Sequence, residues 1–268
     1  LVSVMYANNE VGTIQPVKEI GRAIDEWKRE QGKTFTSYPY FHIDACQATN
    51  YLPLDVVRLK CHLMTINSSK VYGPKGIAAL YKREGIHLAP VTLGGGQERG
   101  LRSGTESPSL AYAFGIALEE AVLMREEESA RLRTIRDYFR DELVRAIPDA
   151  TVYGAWDEYR RETKDNRHKK DVAVLHVEQR LPNNINIRIP GIPSDEMILR
   201  LDTSGFAVSH KSACASQEAD GSYVVQALGA TEEASLENVR ITLGRGTTKP
   251  DLAMLIKSIK EIKGKFGN

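Results

Sequence analysis

Short apolar segments alternate with a helical segment over the first 80 residues, and this alternation restricts the fold more than any other feature. An apolar segment at residues 1–6 precedes Ile20, Ile24 and Trp27, which recur at helical spacing. They predict a helix over residues 16–30, with Pro16 at its start. Further strands are expected at residues 41–44, 61–66 and 76–81. Strands that alternate with helices build an α/β layer.

A long helical segment separates this part from a smaller second one. Residues 108–147 are rich in Ala, Leu, Glu and Arg and contain no glycine after Gly115, which predicts one or two long helices. Beyond them, strands are expected at residues 184–189, 206–209 and 239–243, and helices near residues 196–201, 223–228 and 251–266. The second part is therefore predicted to be a smaller α+β domain. We place the domains at residues 1–123 and 124–268, and the charged segment at residues 156–170 is expected to be a solvated loop.

Composition narrows the class of protein. With 268 residues, 36 Lys and Arg against 35 Asp and Glu, and 41% hydrophobic residues, the sequence is typical of a globular protein of up to two domains. A net charge of +1 and the lack of basic blocks speak against direct binding of nucleic acid. No apolar stretch is long enough to span a membrane and no export signal opens the sequence, so a cytoplasmic location is expected.

The cysteines do not form a disulfide framework. There are three of them, Cys46, Cys61 and Cys214, so at least one is expected to be a free thiol. Cys61 and His62 are adjacent on a predicted strand and would point to opposite faces, so we expect no metal site.

The residues that follow two predicted strands suit pyridoxal phosphate chemistry. Asp44 ends one strand, Gln47 follows it, and Lys70 comes directly after the next strand. Ligands bind at the carboxyl ends of strands in α/β sheets. A lysine can form the Schiff base, and a carboxylate can keep the pyridine nitrogen protonated. Taken singly, the same residues also suit a turn cap, a solvated amide and a surface lysine.

A glycine-rich loop at residues 94–105 precedes the long helix and could bind an anion through main-chain N–H groups, or serve only as a turn. Cys214 lies in a small, polar stretch near His210 and Lys211, which favours its thiolate, although a lone cysteine is more often buried.

Two further candidates lie at strand segments. Arg240 interrupts an apolar strand, where its guanidinium could bind a substrate carboxylate or form a structural salt bridge. Asn9 follows the first strand, with Gly12 close behind, and is either a site residue or part of a turn.

Six segments resemble, in order and spacing, those of the cysteine desulfurases of the NifS/IscS-like branch, and the similarity covers nearly the whole sequence except the charged segment. Members of this family are fold-type I pyridoxal 5'-phosphate enzymes of the class-V aminotransferase group. The resemblance implies part of a large domain with a mainly parallel sheet, followed by the small domain that carries the catalytic cysteine. The segments are ANNEVGTIQP at residues 7–16, HIDACQ at 42–47, NSSKVYGPKG at 67–76, GGGQERGLRSGTES at 94–107, KSACAS at 211–216 and VRITLGRGTT at 239–248.

The resemblance also implies roles for individual residues. Lys70 is the expected Schiff-base lysine and the base that moves the Cα proton, and Cys214 is the expected persulfide-forming nucleophile. Arg240 is expected to hold the substrate carboxylate. The expected cofactor contacts are Asp44 to the pyridine nitrogen, Gln47 to the ring hydroxyl, Asn9 beside cofactor and substrate, Asn67 and Ser69 before the lysine, and Thr105 to the phosphate bound by a partner subunit.

The sequence departs from the family pattern in three ways. Ser69 stands where the family usually has a histidine, and Lys211 stands where it has a glycine. The family's N-terminal part, with a phosphate loop and a ring-stacking histidine, has no counterpart here. We therefore expect an N-terminally truncated sequence with an incomplete cofactor pocket.

The resemblance implies a homodimer that takes sulfur from L-cysteine, releases L-alanine and passes the sulfur to an acceptor, either an iron-sulfur scaffold or a tRNA-thiolation enzyme. Two alternatives stay open. The protein could be another class-V pyridoxal phosphate enzyme, such as an aminotransferase or a selenocysteine lyase. It could also be a catalytically incomplete relative that acts as a binding module or dimer partner, as Ser69 suggests.

Overall fold

The computed structural model describes residues 1–154, 180–210 and 221–266, and contacts between residues divide the chain into two units. The charged segment at residues 156–170, together with Lys211 and Cys214, lies outside the described residues. The first unit comprises Leu1–Tyr6 and Gln15–Arg125, and the second comprises Ala7–Ile14 and Glu126–Asn268. The division at residue 123 stays a prediction about the domains.

The first unit contains a four-stranded sheet in the order β1-β2-β3-β4. Strands β1 (Val2–Met5), β2 (Phe41–Asp44) and β3 (Leu63–Asn67) are parallel, and β4 (Ala78–Lys82) runs antiparallel to β3. The side chains of β2 alternate between the two faces of the sheet. Phe41 and Ile43 are fully buried, whereas His42 is half-buried and Asp44 is exposed. The expected α/β layer with a mainly parallel sheet is confirmed.

Helix α1 (Val17–Glu30) is confirmed, but its packing face differs from the predicted one. Its buried residues are Val17, Gly21 and Lys28, whereas Trp27 is 42% exposed. Gly21 lies so close to the main chain that a Cβ there would be 2.5 Å from the carbonyl oxygen of Leu59. This close approach turns the Gly21 side of the helix inward and leaves Trp27 outside.

Lys28 stays buried because the first unit supplies a hydrogen-bond acceptor for its amine. The Nζ atom donates to the carbonyl oxygen of Phe35 at 2.7 Å and lies 2.9 Å from Nε2 of His62. The His62 ring is itself fully buried and stacks on the Phe35 ring with a centroid distance of 4.2 Å. Buried polar groups need such partners, because desolvation is otherwise costly.

A single helix, α2 (Pro108–Ala146), follows the glycine-rich loop. Its residues up to Arg125 belong to the first unit and those from Glu126 to the second. Phe114 and Ala121 are buried in the first unit, and Leu132, Phe139 and Leu143 are buried in the second. The predicted helical stretch therefore forms one element.

The second unit has an antiparallel sheet in the order β5-β6-β7, which confirms the expected α+β class. The strand predicted at residues 206–209 is wrong, because only Ser209 pairs there, in an isolated bridge with Arg240. The sequence patterns also missed the three-residue strand β5. The elements are β5 (Thr151–Tyr153), β6 (Asn184–Arg188), α3 (Ser194–Thr203), α4 (Tyr223–Ala227), α5 (Glu232–Ser235), β7 (Asn238–Thr242) and α6 (Lys249–Phe266).

The two faces of this sheet differ in chemistry. One face is apolar, with Ile185, Ile187, Val239 and Ile241 buried. The residues that alternate with them are polar: Asn184, Asn186, Asn238 and Arg240. Among the described residues, no helix combines the length and apolar character needed to cross a membrane.

Candidate active site

Asp44 and Lys70, the two main candidates for cofactor chemistry, both lie at the carboxyl ends of neighbouring parallel strands. Asp44 is the last residue of β2 and pairs with Thr65 of β3, while Lys70 closes a 3-10 turn that begins where β3 ends. Both charges act on the thiol of Cys46. The structure therefore brings the carboxylate and the amine to the same edge of the sheet.

The carboxylate of Asp44 is held by the turn that follows β2. Its Oδ1 accepts a hydrogen bond of 3.0 Å from the main-chain N–H of Cys46. Burial raises the pKa of the Cys46 thiol to about 12, and a hydrogen bond to Asp44 together with the charge of Asp44 adds to this effect, against the charge of Lys70. Cys46 is therefore a protonated thiol at neutral pH, and Gln47, next to it, is half-buried.

The main chain around Lys70 is fixed from two sides. Asn67 caps the 3-10 turn, since its Oδ1 accepts hydrogen bonds from the N–H of Ser69 at 2.9 Å and from the Ser69 hydroxyl at 2.8 Å. On the other side, Nδ2 of Asn50 donates to the carbonyl oxygen of Lys70. The Lys70 side chain is exposed, so its amine is accessible while its main chain is held in place.

Ser68 leaves an unsatisfied group beside the lysine. Its side chain is fully buried, and its Oγ makes no hydrogen bond within the described part of the chain. A Cβ at Gly73 would lie 2.3 Å from this oxygen, so only glycine fits beside it.

Thr105 lies on the exposed loop before α2, and its side chain makes no hydrogen bond to Asp44, Lys70 or any other described residue. The loop is organised by its own contacts, since Oε1 of Gln97 accepts from the N–H of Gly104 at 3.2 Å. Its anion-binding role stays a prediction.

His42 is a polar residue of this sheet that the sequence analysis did not single out. It bridges the hydroxyls of Ser3 at 2.7 Å and Thr65 at 2.8 Å, on the same side of β2 as Asp44. Burial lowers its pKa, against the charge of Asp44. The alternating pattern of residues 41–44 could have placed His42 and Asp44 on one face.

In the second unit, Arg240 lies beside Asn9. Its Nη2 donates to Oγ of Ser209 at 2.7 Å and its Nη1 to the carbonyl oxygen of Asn9 at 3.5 Å. The Nε atom is buried and has no hydrogen-bond partner among the described residues. Burial lowers the pKa of the guanidinium, and the charge of Glu10 opposes this effect. Among the described residues, Arg240 forms no salt bridge within 4.0 Å, so the structural salt bridge is not observed there.

The segment that carries Asn9 is a turn built by its neighbours. Oδ1 of Asn8 accepts from the N–H groups of Glu10 at 2.8 Å and Val11 at 3.0 Å, and Gly12 has a φ of +76°. Nδ2 of Asn184 donates to the carbonyl oxygen of Asn9 at 3.1 Å. The amide side chain of Asn9 makes no hydrogen bond to another described residue, so it is available to a ligand.

Comparison with solved structures identifies the fold. The chain is similar to a structure named NifS-like protein, with 28% identity and a TM-score of 0.78 over 97% of this chain and 60% of that one. It is also similar to a structure named SspA in complex with cysteine, with 26% identity and a TM-score of 0.62 over 90% of this chain and 58% of that one. The fold is that of the NifS-like pyridoxal phosphate-dependent transferases.

Comparison of sequences gives the same family. The cysteine desulfurase IscS 1 of Archaeoglobus fulgidus is 37% identical over 257 residues, which is 96% of this chain and 59% of that protein. Residues 1–168, more than half of the sequence, match the family described as aminotransferase class-V. The chain belongs to the aminotransferase class-V family.

Proposed function

We propose that this protein is a cysteine desulfurase that uses pyridoxal 5'-phosphate to take sulfur from L-cysteine. The supporting observation is that Asp44 and Lys70 converge on one sheet edge in a chain 37% identical to a protein named cysteine desulfurase. The Archaeoglobus protein is longer, so the activity, substrate and partners of the whole protein belong to this proposal.

The residues at the sheet edge fit the cofactor. Lys70 offers an accessible primary amine for the covalent link, and Asp44 offers a carboxylate oriented by the Cys46 N–H for the ring nitrogen. Asn67 uses its Oδ1 in the turn, which leaves its Nδ2 to donate to a phosphate. Gln47, Ser69 and Thr105 are the further proposed contacts. When bound, the cofactor supplies an electron sink for the electrons released at the substrate α-carbon.

The protein side chains would then divide the remaining work. The Lys70 amine, once free, takes the proton from the α-carbon of L-cysteine. Arg240 binds the substrate carboxylate through its guanidinium, whose Nε atom has no hydrogen-bond partner among the described residues. The amide of Asn9, which has no hydrogen-bond partner in the described part of the chain, is the proposed second contact with the substrate.

The sulfur transfer is assigned to Cys214. Its thiolate forms a bond with the substrate sulfur while the bond between that sulfur and Cβ breaks, and the electron pair of this bond stays with Cβ. Protonation of the carbon skeleton yields L-alanine, and the sulfur stays on Cys214 as a persulfide. One thiolate and one L-cysteine thus give one persulfide and one L-alanine, without an external oxidant.

Partners complete the proposal. A homodimer is supported by the exposed apolar side chains before the glycine-rich loop, where Val91 is 96% and Leu93 79% exposed. The persulfide would pass to an iron-sulfur scaffold or a tRNA-thiolation enzyme. A cytoplasmic location stays a prediction.

The cofactor assignment is tested by absorbance. The protein is mixed with pyridoxal 5'-phosphate, and the visible spectrum is recorded before and after L-cysteine is added, with Lys70→Ala as the control. We expect a band that depends on Lys70 and changes with L-cysteine. A band that persists unchanged in Lys70→Ala would refute the assignment of Lys70.

The chemistry is tested by sulfur release. Cys214→Ala should abolish persulfide and sulfide production while cofactor binding is retained, and Cys61→Ala, at a cysteine that the site does not use, is the matched control that should stay active. Sulfur release by Cys214→Ala would refute the mechanism. If the protein releases no sulfur but transfers amino groups or releases selenium, it is another class-V enzyme. If no cofactor band appears at all, the result favours a binding module.

A further inference from the structure

Glu10 is a buried acid in the second unit for which the proposed chemistry has no use. It is 1% exposed, and its Oε2 accepts a hydrogen bond of 2.6 Å from the hydroxyl of Ser222. The same hydroxyl accepts from the N–H of Val225 at 3.2 Å and so caps α4. A buried carboxylate is costly unless hydrogen bonds and an opposite charge compensate it. The hydroxyl of Ser222 supplies one such bond.

The charge of Glu10 acts on the guanidinium of Arg240. The guanidinium of Arg240 donates a hydrogen bond to the carbonyl oxygen of Asn9, the residue next to Glu10. The charge of Glu10 favours the protonated form of this guanidinium. The sheet also holds Glu10 near Arg240. Asn186 pairs with Arg240 across β6 and β7, and its Nδ2 donates to the carbonyl oxygen of Glu10 at 3.3 Å. Glu10 and Arg240 are therefore held at one place by independent contacts.

From these contacts we infer that Glu10 is a positioning residue whose carboxylate, oriented by Ser222, balances the charge of Arg240 and so limits how strongly Arg240 binds a carboxylate ligand. The inference rests on the proposed function, because Arg240 is the proposed contact for the substrate carboxylate. It assigns no direct contact between Glu10 and the substrate.

The sign of the effect follows from electrostatics. A partly desolvated guanidinium attracts an anion strongly, and a nearby carboxylate offsets part of this attraction. Without the Glu10 charge, Arg240 would be a buried cation with less compensation, so the fold would be less stable and an added carboxylate would be bound more tightly. A residue with only a structural role would lower stability without this response to anions.

The test is thermal unfolding of the full chain in the presence of propionate, with neutral propionamide of the same shape as the control ligand. We expect Glu10→Gln to unfold at a lower temperature than wild type, and propionate to raise its midpoint by about 3 °C more than that of wild type. Propionamide should have no such effect. Glu10→Asp, which keeps the charge, should respond as wild type does.

Arg240 supplies the second control. In the double variant Glu10→Gln and Arg240→Gln the response to propionate should disappear. An equal response in Glu10→Gln and wild type, or a response that survives in the double variant, would overturn the inference. If Glu10→Gln does not fold without a ligand, we expect propionate but not propionamide to restore folding. Failure to fold with either compound would also overturn the inference.

Kinetics separate the inference from the function on which it rests. In the cofactor-loaded protein, Glu10→Gln should lower the KM for L-cysteine several-fold, whereas a loss of structure would raise KM and lower kcat. The propionate measurement needs neither cofactor nor turnover. Absence of sulfur release by wild type would therefore refute the proposed function and leave the role of Glu10 to the unfolding experiment.

Discussion

The Nδ2 atom of Asn50 donates a hydrogen bond of 2.5 Å to the main-chain carbonyl oxygen of Lys70. This bond ties the turn after β2 to the turn after β3, so the segments that contain Asp44 and Lys70 are held together by a contact between a side chain and the main chain. Asn50 therefore helps to hold the main chain of Lys70 in place, although it has no proposed role in the reaction.

Replacement of Asn50 by Ala should weaken the support of Lys70. Loss of one such hydrogen bond costs about 1 kcal/mol, so we expect roughly fivefold weaker binding of pyridoxal 5'-phosphate, measured by titration of the absorbance band. Asn50→Asp keeps the size but removes the donor and should behave as Asn50→Ala does. Wild-type affinity in both variants would show that the bond does not matter.

The described cysteines should be unreactive in the folded protein. Burial raises the pKa of Cys46 to about 12 and that of Cys61 to about 11, so at pH 8 about one thiol in a thousand or fewer is ionised. We expect iodoacetamide to label Cys214 first, as read by mass spectrometry of peptides. Labelling of Cys46 in the folded protein at the rate found in urea would contradict this expectation.

Acidification should destabilise the first unit through His62. Phe41 donates its N–H to Nδ1 of this ring at 3.0 Å, so the neutral ring carries its proton on Nε2. Burial lowers the pKa of His62, so the unfolded chain binds the proton more readily. The free energy of unfolding should therefore be highest above about pH 6.5 and fall as the pH drops below that value.

Urea unfolding between pH 8 and pH 5 measures this dependence. His62→Gln should flatten it in part, and His87→Gln, at an exposed position, is the matched control. His42, whose pKa burial also lowers, adds to the dependence with the same sign. A slope in His62→Gln equal to that of wild type would rule out His62 as a contributor.

Two helical glycines should respond oppositely to replacement by Ala. A Cβ at Gly21 would lie 2.5 Å from the carbonyl oxygen of Leu59, so Gly21→Ala should lower the free energy of unfolding by about 1–3 kcal/mol. At Gly115 nothing lies within 4 Å, so Gly115→Ala should raise it by about 0.5–1 kcal/mol through helix propensity. Denaturant unfolding of both variants checks the pair, and equal effects would show that the helices do not pack as described.

The order of elements in the first unit and the placement of Asp44 and Lys70 could be predicted from the sequence. Hydrophobic periodicity and turn residues act over a few positions, and they located β1 to β4, α1 and the long helix α2. Asp44 and Lys70 could be paired because both follow strands that the α/β pattern makes parallel. These conclusions need only local information and one rule of topology.

Only the tertiary structure decided which side of α1 is buried and which acid accompanies Arg240. Helical spacing places Trp27 on the predicted buried face of α1. The main-chain carbonyl of Leu59, however, leaves room only for the Gly21 side of the helix, so Lys28 is buried and Trp27 is not. Glu10 and Ser222 are 212 positions apart, and no local pattern relates them. Contacts of this kind depend on how chain segments meet in space, and periodicity within one segment carries no information about them.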